Sequence, residues 1–183
     1  MRLPPELVHA ASAADMADLR FDLHPVQLGL RGSPLHVAVA SMMLVKVRRN
    51  CDLIAHVVAS FPTPEDLAQG ADELEHWLRP LGLHRQRARL MANLGRRWWT
   101  PTWGDLRDLP GVGPYVADAV QLFCFGHTTL DSEDGVLRAY AERYEGPSMG
   151  EALGVWTVNR EAFDDPRDAY AHLVSLRSPT HVR

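Results

Sequence analysis

Cysteine is scarce in this chain: Cys51 and Cys124 are the only two in 183 residues. Two thiols suit a reducing compartment, and they cannot supply a four-cysteine zinc or iron–sulfur site within the chain. Long apolar runs are missing as well. Hydrophobic residues make up 46% of the sequence, yet charge interrupts every stretch long enough to span a bilayer, so no membrane association is expected. Met1-Arg2-Leu3-Pro4-Pro5 has no extended apolar segment behind it. A secretory signal is therefore not expected, and a cytoplasmic (bacterial or archaeal) or otherwise intracellular location is. The nine histidines are scattered, with no H-E-x-x-H and no compact ligand set, which argues against a catalytic metal. Internal repeats and low-complexity linkers are also lacking. The length fills one core and would leave two domains cramped, so a single domain over 1–183 is expected.

The formal charge of −4 argues at first against nucleic acid. Distribution matters more than the sum. Between Arg79 and Arg97 stand Arg79, Arg85, Arg87, Arg89, Arg96 and Arg97 with His84 and no acid. Lys46, Arg48 and Arg49 form a second basic group, whereas acids outnumber arginines from Asp131 to Asp168. One basic face and one acidic face can share an acidic chain. A merely solvated helix face explains a basic stretch equally well.

Helix start signals recur while few segments look like strands. Ser33-Pro34 supplies a cap and a first-turn proline before Val37, Val39, Ala40, Met42, Met43 and Leu44, which predicts a largely buried helix. A second helix is predicted over 52–60, and Thr63-Pro64-Glu65-Asp66 starts a short third with acids where the dipole favours them. Further helices are predicted over 71–79, 83–98, near 103–108, 114–125 and 134–144. Ser148 with Glu151 and Asp165-Pro166 mark two more starts. The fold class is all-α, with nine or ten short helices.

The sharpest local signal is Leu109-Pro110-Gly111-Val112-Gly113-Pro114-Tyr115. Two glycines one residue apart permit a tight reversal and a close backbone approach to a ligand. Amides in the turn and at the following helix start can hold a phosphate, and Pro114 needs no donor there. Val112 is expected to tuck between the two helices. Such a hairpin grips a DNA backbone without reading base sequence; an ordinary helix–turn–helix corner is the plain alternative. Farther on, Leu130-Asp131-Ser132-Glu133-Asp134-Gly135 offers three acids. Asp134 at a helix start would stay ionised. It could then stabilise positive charge at the C1′ carbon of a flipped nucleotide and orient the attacking water. The same residue would also serve as a plain helix cap.

The order of basic helix, L-P-G-V-G hairpin and delayed aspartate resembles the helix-hairpin-helix DNA glycosylase superfamily. The resemblance spans roughly Ser33 to Tyr144 and is closest to the monofunctional mismatch-specific thymine/uracil branch. L-R-P-L-G-L-H-R-Q-R-A at 78–88, G-V-G-P-Y-V-A-D at 111–118, F-C at 123–124 and S-E-D-G-V-L-R-A-Y at 132–140 carry it. It implies two helical subdomains flanking an active-site cleft, base flipping from double-stranded DNA, and Asp134 as the catalytic carboxylate. It places Tyr115, Met42 and Lys46 at the pocket. Leu109, Gly111, Val112 and Gly113, with Arg85, Lys46 and Arg48, are placed on the DNA.

Bifunctional relatives carry a lysine in the second place after the hairpin glycines, where this chain has Tyr115. A phenol forms no imine, so water is the expected nucleophile and an abasic site the product. The iron–sulfur loop of endonuclease III has no counterpart after Cys124. No cofactor is expected beyond a monovalent cation at the hairpin, and the protein is expected to act as a monomer. Val45-Lys46-Val47 stands where relatives have polar residues, and Gly135 follows Asp134 where many have a polar one. Thymine or uracil opposite guanine is the nearest target reading. An alkylated or otherwise modified base, and a non-catalytic DNA-binding protein that retains the fold, are the alternatives. Trp98-Trp99 after Arg96-Arg97 is read as core packing, with stacking on DNA as the other option.

Overall fold

The computed structural model describes residues 26–45, 51–99 and 105–125. Seven α-helices lie among them: α1 Val26–Gly29, α2 Pro34–Leu44, α3 Cys51–Ser60, α4 Pro64–Gln69, α5 Ala71–Leu78, α6 His84–Trp98 and α7 Pro114–Phe125. Two single 3-10 turns, Arg79–Leu81 and Leu106–Asp108, lead into α6 and the hairpin. No strand occurs among the described residues. The helices expected over 134–144, near 148–151 and from 165 fall outside them, as does the expected extent of the domain to residue 183.

Local chemistry accounts for where these helices start. The Ser33 hydroxyl accepts the His36 amide hydrogen bond, and Pro34 opens α2. Residues 34–43 are all buried, as the apolar run predicts for a helix enclosed on every side. Thr63 and Asp66 form a reciprocal capping box before α4: the Asp66 amide donates to Thr63 Oγ1 and the Thr63 amide to Asp66 Oδ2, both at 3.1 Å. Each capped donor would otherwise be an orphan.

Two corrections concern the boundaries. The helix expected from residue 83 begins at His84, because Leu83 sits in the left-handed region at φ 49°. The short helix expected near 103–108 is, within the described residues, one 3-10 turn over Leu106–Asp108, closed by a second reciprocal box between Asp105 and Asp108.

The helices form two groups that flank a cleft. Helices α1, α2 and α7 pack together, while α4 and α5 lie against α6 and α3 touches α2 and α5. Gly95 lets α6 approach α4 at backbone distance; a β-carbon there would collide with the Pro64 carbonyl oxygen. Trp98 is buried and belongs to the core, whereas Trp99 is 41% exposed. Core packing therefore holds for Trp98, and Trp99 lies at the surface. No helix among the described residues is long and apolar enough to cross a membrane.

Candidate DNA-facing cleft and base pocket

The hairpin is built from its own carbonyls outward. Leu109 N–H donates to the Leu106 carbonyl and Val112 N–H to the Leu109 carbonyl, each at 3.1 Å. Gly111 takes φ 79° at the reversal, a conformation that penalises any side chain. A β-carbon at Gly111 would also strike the Met42 methyl group and crowd Leu90 Cβ. The glycine is therefore required twice, by its torsion and by its contact with α2 and α6. Leu109 and Val112 are buried, and Gly113 is exposed. Val112 thus tucks inward as expected. The Gly113 carbonyl accepts the Ala117 amide at 3.0 Å, so Gly113 caps α7, and the first-turn amides point out of its N-terminal end. Asp105 braces the approach: the Arg107 amide at 2.9 Å and the Arg107 guanidinium at 3.4 Å hold its carboxyl below the ordinary range.

Tyr115, the second residue of α7, is half-buried and packs at the edge of the core. Its phenol oxygen accepts a 3.4 Å hydrogen bond from Gln27 Nε2 on α1. Gln27 is 4% exposed, and its carbonyl oxygen Oε1 is buried with no hydrogen-bond partner. A buried acceptor left empty costs about 1–3 kcal/mol. An arrangement of this kind suits a group that completes its bonds on binding a ligand. Sequence reasoning passed over Gln27; a lone polar side chain between Val26 and the apolar run of α2 was the available signal.

Met42 is nearly buried and lies beneath Gly111. With Val45, Leu83, Gln86, Arg87, Leu90 and Gly111 it lines a groove of about 200 Å³. That volume is below the several hundred Å³ of a pocket for a drug-sized ligand. Tyr115 is not part of this lining. Of the residues expected at the base pocket, Met42 lines this groove, Tyr115 does not, and Lys46 falls outside the described residues. Leu83 on the groove's rim is 66% exposed, a position that sequence reasoning left unmarked. Arg85 is exposed, and its Nε lies 3.1 Å from Glu75 Oε1. One member of the basic stretch departs from the expected solvated face: Arg87 is buried and donates to three backbone carbonyls. Lys46, Arg48 and Asp134 lie outside the described residues. No group of three or more metal-ligating side chains occurs among the described residues.

No family model matches the chain. It is 26% identical over 144 residues to the thymine-DNA glycosylase of Aeropyrum pernix, covering 73% of this chain and 60% of that protein. It is 34% identical over 105 residues to the thymine/uracil-DNA glycosylase of Pyrobaculum aerophilum, covering 52% and 46%. A shorter match, 36% over 56 residues, joins it to the methyl-CpG-binding domain protein 4-like protein of Arabidopsis thaliana, with 31% of this chain and 13% of that protein. The chain thus spans at most 60% of the length of these curated relatives. Among solved structures it is similar to a thermostable thymine-DNA glycosylase, with a TM-score of 0.64 at 19% identity over 96% of this chain and 87% of that one. It is also similar to endonuclease III in a non-covalent DNA complex, with a TM-score of 0.56 at 20% identity over 82% and 75%. The fold is that of the helix-hairpin-helix DNA glycosylases, and the sequence is similar to members of their thymine/uracil branch while lacking the cysteines that an iron–sulfur cluster would need.

Proposed function

We propose that the protein is a monofunctional DNA glycosylase that hydrolyses the N-glycosidic bond of thymine or uracil mispaired with guanine. The product is an abasic site in an unbroken strand. The observation that carries this reading is the Gln27–Tyr115 pair behind the hairpin. A carboxamide has two N–H donors and an acceptor oxygen; with one donor on the Tyr115 phenol, the second donor and the acceptor match the carbonyl and N–H edge of a uracil or thymine ring. The unsatisfied Gln27 Oε1 would accept the ring N–H. Tyr115 closes the route to a Schiff base, since a phenol cannot condense with the sugar aldehyde.

In this reading the protein acts on double-stranded DNA, inside the cell, as one domain and as a monomer. The hairpin residues Leu109, Gly111, Val112 and Gly113 hold the backbone beside the lesion, with Arg85, Lys46 and Arg48 on neighbouring phosphates. Leu83, an exposed leucine on the rim of the groove, is placed to wedge into the stack as the nucleotide leaves it. Asp134 is assigned the chemistry. Its carboxylate stabilises the positive charge that grows at C1′ and orients water for attack at that carbon. The glycosidic electron pair leaves with the base, the water oxygen bonds to C1′, and the proton that the water gives up ends on the departing base.

The test is excision from duplexes carrying uracil, thymine, alkylated purines or 8-oxoguanine opposite each partner base, read with and without hot alkali. Strand breaks only after alkali, confined to the pyrimidines, support the reading. Release of an alkylated base alone would reassign the substrate. Unchanged release by Asp134→Asn would remove Asp134 from the mechanism, and binding without release from any duplex would favour a non-catalytic role.

A further inference from the structure

The arginine that the basic stretch hides is the feature the proposed chemistry leaves unused. Arg87 is 9% exposed, and burial lowers its pKa from the ordinary value. A guanidinium has five donors, no acceptor and a fixed fork geometry. Here the fork is spent on backbone. Nε donates to the Gly82 carbonyl at 3.2 Å, one terminal nitrogen to the Met42 carbonyl, and the other to the Val45 carbonyl at 2.7 Å. Met42 and Val45 belong to the last turn and cap of α2, whose carbonyls have no intrahelical partner and carry the negative end of the helix dipole. Gly82 precedes Leu83, the exposed rim residue. One planar cation thus joins two chain segments that are about 40 residues apart in sequence. Both segments contribute to the wall of the groove, together with Arg87 itself.

We propose that Arg87 is a positioning residue that locks the Gly82–Leu83 turn to the C-terminal end of α2, so that both meet the DNA as one rigid edge. Two mobile segments would each have to be ordered on the duplex, at the expense of binding and base extrusion. A pre-joined edge avoids that. The proposal rests on the glycosylase reading for its consequence, although not for its geometry. Lysine can carry the charge but cannot reach three carbonyls in one plane, so Arg87→Lys should behave as a partial loss. Base extrusion is needed for a paired target and much less for one already unpaired. The defect should therefore fall on duplex substrates.

The experiment is a double-mutant cycle of Arg87→Lys with Leu83→Ala in the full chain, read on uracil in a G:U duplex and in a single strand. Each single variant is expected to lose at least about tenfold on the duplex, Arg87→Lys through one to two charged hydrogen bonds and Leu83→Ala through the missing wedge, and to stay within about threefold on the single strand. If Arg87 acts through Leu83, the double variant falls no further than Leu83→Ala alone. Losses that multiply, or equal losses on both substrates, would overturn the proposal in favour of general stability. Amide hydrogen exchange on the same proteins supplies a reading independent of catalysis. Arg87→Lys should expose the peptides around 82–84 and 42–45 together while 51–78 stays protected. Exposure of neither segment, or of the whole chain alike, would refute the joint even if the wild-type protein excised nothing. Absence of excision by the wild type would count against the glycosylase reading alone.

Discussion

Three buried or half-buried polar side chains set the character of this molecule: Gln27, His36 and Tyr115. His36 is 3% exposed in the core of α2. Burial pushes its imidazole down to about 4, a fall that the Pro62 backbone opposes only in part. Neither ring nitrogen makes a hydrogen bond of normal geometry. The unfolded imidazole titrates near 6.5, so between that value and about 4 the unfolded chain binds more protons. The associated stability is complete above about pH 6.5 and is lost as pH falls through that window. It is worth about 3 kcal/mol over the full span. Urea midpoints measured from pH 7.5 to 4.5 should fall in the wild type, with a shallower slope in His36→Leu; parallel slopes would contradict the assignment. At Gln27, replacement by Leu should leave stability nearly unchanged, since an unsatisfied acceptor is removed along with one long hydrogen bond. Uracil excision should nevertheless drop by about tenfold or more, the scale of a lost recognition hydrogen bond. A large loss of stability with kcat and KM intact would instead make Gln27 a structural residue.

Helix starts and the hairpin were readable from sequence because their causes are local. Ser33-Pro34 and Thr63-Pro64 carry their caps within three residues, and Gly111 supplies the positive φ its turn demands. What could not be read depends on partners far along the chain. Gln27 meets Tyr115 across 88 positions, and spacing alone cannot tell which of six clustered arginines turns inward to carbonyls at 42 and 45. Leu83 was read as a first helical residue because nothing in its neighbourhood announces a left-handed torsion. Two substitutions test the elements themselves. Thr63→Ala removes half of a capping box and should cost about 1 kcal/mol in equilibrium unfolding; no change would mean that α4 is held by packing alone. Gly111→Ala combines a positive φ with a collision against Met42. It should weaken duplex binding by about tenfold or more, at a cost in strain of about 1–3 kcal/mol. Retained affinity would show that the reversal does not touch the backbone.

At the scale of the whole molecule, the described helices form two groups around a cleft whose edges come from α2, the 82–83 turn and the hairpin. Its formal charge is −4, so the proposed binding to DNA has to draw on local placement of arginine, lysine and backbone amides rather than on net attraction. Duplex affinity should fall steeply with salt, in proportion to the phosphates engaged. The measurement that bears most directly on the account is uracil release from a G:U duplex, with the strand examined before and after hot alkali. The account predicts free base, an intact strand before alkali and a break after it, with neither free base nor an alkali-dependent break in Asp134→Asn. Strand cleavage without alkali, or full release by Asp134→Asn, would contradict it.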